Sequence, residues 1–181
     1  MDVELKVDYT SCYRYSMKIC VVGAGINGLS SALHVQEACP KADIMLMSEK
    51  FSPNTTSDVS GGLWSPHLVD VMKQPIVRIW AKETLDHLVK LARSRDAGLI
   101  GARFLSGYRL PKRDPWFRDL VFGYRYMTED ELKLFPEVEP REGEFYTTVT
   151  LDVRSYLQWL LARYKANNGK ILKRKVNSWK R

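Results

Sequence analysis

Residues Lys18 to Gly28 read Lys-Ile-Cys-Val-Val-Gly-Ala-Gly-Ile-Asn-Gly, an apolar run that passes directly into Gly-x-Gly-x-x-Gly. A chain that does this is confined to a strand, a tight turn and a helix whose N-terminus faces the turn. Gly23 permits the turn, Gly25 lets backbone approach a pyrophosphate, and Gly28 lets helix and strand pack closely. The glycines alone are a weak signal, so their surroundings decide. Leu29, Ala32, Leu33 and Gln36 recur at helical spacing until Cys39-Pro40 ends the segment. Asp43 to Ser48 is then a short apolar run bounded by polar residues, as in a buried parallel strand. Glu49 stands at its end, about twenty residues beyond Gly28, where a ribose-binding carboxylate belongs. The stretch predicts an α/β chain with a Rossmann-like βαβ unit and a dinucleotide as ligand.

Phe51 to Leu68 is the second informative stretch: Phe-Ser-Pro-Asn-Thr-Thr-Ser-Asp-Val-Ser-Gly-Gly-Leu-Trp-Ser-Pro-His-Leu. It carries too many hydroxyls and glycines for a core element and is too apolar at Leu63-Trp64 for a linker. Thr55, Thr56 and Ser57 can donate to phosphate or ribose oxygens, and Gly61 and Gly62 let main-chain amides approach a flat ring. The same residues also suit a surface loop that caps a following helix, and the local sequence leaves both readings open.

The two stretches together resemble the amino-terminal part of the D-amino-acid oxidase and D-aspartate oxidase family. Further matches occur in the family's order at Leu105-Ser106-Gly107-Tyr108, Val121-Phe122-Gly123-Tyr124-Arg125, Met127-Thr128, Glu131-Leu132, Phe135-Pro136 and Tyr156 to Leu160, covering the chain from about Met17. The resemblance implies FAD as the dinucleotide. It places FAD contacts at Gly23, Ala24, Gly25, Asn27, Gly28 and Ser30 in the phosphate turn and at Glu49 and Lys50 beside the adenosine ribose. Thr55, Thr56 and Ser57 would hold the pyrophosphate and ribityl region, Gly61, Gly62 and Leu63 would lie along the isoalloxazine, and Val176 would meet the adenine through its backbone. Glu49-Lys50 and Ser60-Gly61 depart from the family's commoner Asp-Arg/Lys and Ala-Ala.

The implied chemistry is oxidative deamination of a D-amino acid by molecular oxygen, giving a 2-oxo acid, ammonia and hydrogen peroxide. The family's catalytic arginine and tyrosine are expected beyond Arg181, so the chain reads as an N-terminal fragment, inactive alone. His67 is a candidate substrate-side group, or an ordinary loop histidine. Gly62-Leu63-Trp64 resembles the D-amino-acid oxidase branch, slightly preferred here, and Pro66-His67 the D-aspartate oxidase branch. Alternatives are a non-catalytic FAD-binding or interaction fragment and, third, a nicotinamide-dependent dehydrogenase. A homodimer is compatible with the family. The family's peroxisomal location depends on a Ser-Lys-Leu-like terminus that this chain lacks, which leaves the cytoplasm.

The expected domains are an N-terminal extension, 1–16, poorly ordered, and an FAD-binding domain, 17–181, with the start of a mixed-sheet substrate domain over about 103–150. Val77, Trp80, Ala81, Thr84, Leu88 and Leu91 predict one helix face. Arg103 to Leu110, Val121 to Tyr126 and Glu144 to Leu151 predict strands, Thr128 and Glu131 a capping box, and Val153 to Tyr164 a helix closed by Gly169 before a last strand, Lys170 to Val176. Trp80, Trp116, Trp159, Tyr108 and Tyr124 are read as core aromatics in preference to a substrate cage.

Composition sets limits. At 181 residues, 45% hydrophobic and 27% charged, the chain suits a globular fold and excludes disorder, and no apolar run approaches the roughly 18 residues of a membrane span. The net charge of +7 arises almost wholly from Lys170, Lys173, Arg174, Lys175, Lys180 and Arg181, leaving the preceding 169 residues nearly neutral. A solvated strand face and terminus explain that cluster better than a nucleic-acid site. Cys12, Cys20 and Cys39 lack metal-ligand spacing and read as reduced thiols, and His34 and His87 have no partner ligands in sequence, so no metal is expected.

Overall fold

The computed structural model describes residues 17–66, 75–110, 112–113, 115–137 and 142–176. His67 and the extension 1–16 lie outside them. The chain divides into two compact units, one formed by residues 1–61 with 153–181 and the other by residues 62–152.

The first unit is a parallel sheet in the order β1-β2-β6, built from β1 (Lys18–Val22), β2 (Asp43–Ser48) and β6 (Lys170–Lys173). Helix α1 (Ile26–Ala38) follows β1 and packs on β1, on β2 and on α5 (Val153–Ala166). The apolar periodicity does the sorting: α1 buries Leu29, Ala32 and Leu33, while α5 buries Val153, Tyr156, Leu157, Leu160 and Tyr164. Ile44 and Leu46 complete this core from β2. Each fully buried aliphatic side chain contributes about 1.5–3 kcal/mol of transfer free energy. Tyr164 is fully buried yet polar, and its hydroxyl lies 2.9 and 3.0 Å from the carbonyls of Ile44 and Lys170, its one proton shared between the two acceptors, tying α5 to both strands.

Several sequence expectations shift here. β1, read only as an apolar strand, exposes Cys20 and Val22, and among the described residues it pairs with β2 alone. The left-handed residue closing α5 is Asn168, at φ 61°, and not Gly169. Gly169 is required for a different reason, since a Cβ there would lie 2.4 Å from the Tyr164 ring. The last strand ends at Lys173, although the Arg174 amide still donates to the Ser48 carbonyl. Cys39 is disulfide-bonded, so the expectation of reduced thiols holds at Cys20 and fails at Cys39; Cys12 lies outside the described residues.

The second unit is an antiparallel sheet in the order β3-β5-β4, from β3 (Arg103–Arg109), β4 (Phe122–Tyr126) and β5 (Glu144–Thr150). Helix α2 (Pro75–Ala92) buries Leu85, Leu88 and Leu91 and packs on β5 and β3, followed by the single turn α3 (Ala97–Ile100). The turn α4 (Glu129–Leu132) has the expected capping box between Thr128 and Glu131. Among the expected core aromatics, Trp80 is 56% exposed and Tyr108 39%. The buried aromatics of this unit are instead Trp64, Phe117 and Tyr146, with Trp64 edge-on to Phe117 at 5.4 Å. Glu144 is fully buried and accepts hydrogen bonds from Arg109 Nε and Tyr124 Oη across both flanking strands.

Candidate functional site

The glycine turn has the close packing that its spacing predicts. Gly23 sits at φ 104°, in the left-handed range that a residue with a Cβ rarely adopts, and its amide donates to the Met47 carbonyl at 2.8 Å. A Cβ on Gly28 would lie 1.8 Å from the Gly23 carbonyl oxygen, so the first turn of α1 rests directly on the strand end. Ala24 is buried beneath the turn, whereas Asn27 is exposed and Ser30 half-buried. No side chain at the N-cap position, Gly25, satisfies the helix amides.

That role is filled from 31 residues away. The Ile26 amide donates to Ser57 Oγ at 3.0 Å. Ser57 occupies the space that Gly25 leaves, since a Cβ on Gly25 would stand 2.8 Å from the same oxygen. The second glycine therefore admits a protein hydroxyl in addition to any backbone approach to a ligand. The hydroxyl stretch and the phosphate turn, separate in sequence, form one cluster.

Ser57 is held by its own loop, where Thr56–Val59 forms a single 3-10 turn. Asp58 inside it is buried and accepts from Ser52 Oγ at 2.5 Å, from the Thr55 amide at 2.7 Å and from Thr55 Oγ1 at 2.6 Å. Burial pushes the Asp58 carboxyl up, but the hydrogen bonds from Ser52 and Thr55, with the Arg154 charge behind them, outweigh it and hold the group below the usual carboxylate range. The Thr55 hydroxyl proton is thereby committed to Asp58, so Thr55 offers lone pairs outward. Ser57 accepts from Ile26, which leaves its own proton for an outside acceptor; Thr56 is exposed. The sequence reading passed over Asp58, although Thr55-x-x-Asp58 has the spacing of a capping box and signalled it.

Glu49 and Lys50 are exposed at the end of β2, and Glu49 faces Lys175 at 3.8 Å. Glu49, Lys50, Phe51, Ser52, Asn54 and Lys173 line a cavity of about 450 Å³. Val176 lies half-buried just past β6, and Gly61 is exposed with open space where a Cβ would point. In the second unit, Gly62 at φ 67° and Leu63 belong to a short extended segment pinned to β5: Leu63 bridges Thr150, Leu151 donates to the Gly62 carbonyl and Trp64 to that of Val149. Leu63 points outward at 46% exposure while Trp64 is buried, which resolves the mixed polarity of that stretch. Among the described residues no group of His, Cys, Asp and Glu could hold a metal ion, and no helix is long and apolar enough to cross a membrane.

A parallel sheet whose first strand ends in glycines beneath a helix N-terminus, with an acid at the end of the second strand, defines a dinucleotide-binding α/β unit. The family model for FAD dependent oxidoreductases matches residues 18–181, and the chain belongs to that family. It is 37% identical over 164 residues to a D-aspartate oxidase of Homo sapiens, covering 88% of this chain and 48% of that protein. It is 30% identical to a D-amino acid oxidase of Dugesia ryukyuensis, covering 86% and 47%. The chain thus spans about half the length of these relatives. A glycine oxidase from Bacillus cereus shares the fold at TM-score 0.60 and 14% identity, over 90% of this chain and 49% of that one. An L-alpha-glycerophosphate oxidase from Mycoplasma pneumoniae, solved with FAD bound, does so at TM-score 0.58 and 12% identity, over 91% and 46%.

Proposed function

We propose that this chain forms the FAD-gripping part of an oxidase of D-amino acids, with molecular oxygen as the acceptor. The observation that carries the reading is the seating of Ser57 on the Ile26 amide, in the gap left by Gly25 and beside the Gly23–Gly28 contact. The donor set suits a pyrophosphate: the amides of the first turn of α1, the positive end of its dipole and the Ser57 hydroxyl. FAD, when bound, supplies the two-electron oxidising power; the residues here bind and orient it.

Gly23, Ala24, Gly25, Asn27, Gly28 and Ser30 are assigned to the phosphates, and Glu49 and Lys50 to the ribose. In this assignment Ser57 and Thr56 donate to phosphate oxygens, while Thr55, its proton held by Asp58, accepts from a ribityl or ribose hydroxyl. Gly61, Gly62 and Leu63 are assigned to the ring through their main chain, and Val176 to the adenine. His67 remains a candidate on the substrate side. The identity to the human D-aspartate oxidase supports a D-amino acid as the substrate class. A peroxisomal location and a homodimer are extensions of the same family reading.

The test is to titrate the purified chain with FAD, following flavin fluorescence, with NAD as the competing dinucleotide, and to assay hydrogen peroxide with D-aspartate and D-alanine. Saturable flavin binding that NAD does not displace supports the cofactor assignment. Binding of NAD without flavin overturns it. Bound flavin with no peroxide from either substrate reduces the chain to a cofactor-binding product, whereas turnover shows that this stretch carries enough of a substrate site to act.

A further inference from the structure

We infer that Asp58 is a positioning residue for the cofactor site, acting through Ser57 on the first amide of α1. From one end of a seven-residue segment its carboxylate holds the other end and the middle: Oδ1 takes the Ser52 hydroxyl, and Oδ2 takes the amide and hydroxyl of Thr55. Backbone bonds from Asp58 to the Thr55 carbonyl and from Ser60 to the Ser57 carbonyl tighten the same turn. The turn packs on α5, whose Arg154 adds an attractive charge to Asp58. Held in this way, Ser57 Oγ reaches the Ile26 amide at 3.0 Å, in a gap that a Cβ on Gly25 would close. A buried carboxylate with three donors is a stable acceptor, and an amide cannot replace it, since it has one accepting oxygen and a donor where the carboxylate has its second. Asp58 needs no contact with the cofactor to set the direction of the Ser57 hydroxyl.

The inference rests on the FAD reading for its functional consequence, and on geometry alone for its mechanical one. The experiment therefore measures both, in Asp58→Asn, Ser57→Ala and the double variant of the full chain. FAD affinity is taken from flavin fluorescence, and hydrogen exchange at the Ile26 amide from NMR of the unliganded protein. Each single substitution is expected to weaken FAD binding by about tenfold, the worth of roughly one hydrogen bond. The double variant is expected to lose no more than Ser57→Ala alone, because Asp58 acts through that hydroxyl. Ile26 exchange is expected to accelerate in Asp58→Asn. Additive losses, approaching about a hundredfold in the double variant, would make Asp58 merely structural and overturn the inference. Unchanged Ile26 exchange overturns it as well. If the parent chain does not bind FAD, the functional reading fails, while the exchange measurement still decides the role of Asp58. Should Asp58→Asn not fold, Ser52→Ala removes one donor and keeps the carboxylate; the same effects at smaller size are expected, and their absence refutes the inference.

Discussion

Replacing Gly28 by alanine tests the packing of the phosphate turn most directly. The new Cβ would stand 1.8 Å from the Gly23 carbonyl oxygen and 2.7 Å from its carbon. Both obstacles are backbone, so no rotamer change can relieve the overlap, and strand and helix must separate by roughly 1 Å or more to reach an ordinary contact. α1 cannot retreat freely, because Leu29, Ala32 and Leu33 are buried against its neighbours, and a radial gap of that size forfeits a quarter to a half of their dispersion contacts. Overpacking typically costs about 1–3 kcal/mol, and the upper part of that range applies when backbone is what must move. Alanine's higher helix propensity offsets at most about 1 kcal/mol. The expected net loss is about 2 kcal/mol, a large share of the roughly 5–15 kcal/mol by which a domain is stable. Urea unfolding followed by far-UV circular dichroism measures it: the midpoint should fall by about 1 M or more at unchanged slope. Gly98→Ala is the control, because nothing lies within 4 Å of a Cβ there. A Gly28→Ala midpoint equal to or above that of the parent would refute the claim that helix and strand are in backbone contact.

Two further outcomes follow from the buried and clustered charges. Glu144→Gln should destabilise the chain by about 3 kcal/mol, since it leaves the Arg109 guanidinium and the Tyr124 hydroxyl facing a neutral group in a fully buried position; a thermal melt showing a loss under about 1 kcal/mol would count against the cluster. In acid, Asp58 and Glu131 should both cost stability. The Glu131 carboxyl is held low by the Arg125 guanidinium, then by the Thr128 amide and the Tyr108 hydroxyl, with burial opposing, and Asp58 is held low as described above. A depressed folded value contributes stability that is full above the unfolded pKa, about 4, and is lost as pH falls below it. Urea midpoints should therefore drop below about pH 4, and drop less steeply in Asp58→Asn and Glu131→Gln; variants with slopes identical to the parent would refute the assignment.

Local chemistry made much of this protein legible. A strand, a turn built on glycines, a helix and a second strand follow one another with spacings that admit few alternatives, and the structure places them at Lys18–Val22, Ile26–Ala38 and Asp43–Ser48. The Thr128–Glu131 cap and the faces of α5 were equally readable, because capping and helical periodicity involve residues three or four apart. The aromatic residues were not. Trp80 and Tyr108 have core-like sequence surroundings and are exposed, while Phe117 and Tyr146 fill the second unit, because burial depends on which faces meet and periodicity gives only the face. Glu144 had no local signal at all, as its partners lie on neighbouring strands.

The sequence by itself determined the ligand class and the family: glycine spacing, hydroxyl run and acid are one-dimensional marks of a dinucleotide turn, and the match to FAD dependent oxidoreductases runs over residues 18–181. Only the tertiary structure decided how the turn is completed. Ser57 and Ile26 are 31 residues apart, and a hydrogen bond at 3.0 Å between them requires the loop, the helix and the space over Gly25 to be formed together. Asp58 owes its importance to the same cause. A carboxylate in a polar loop reads as solvated until folding buries it and turns three donors toward it.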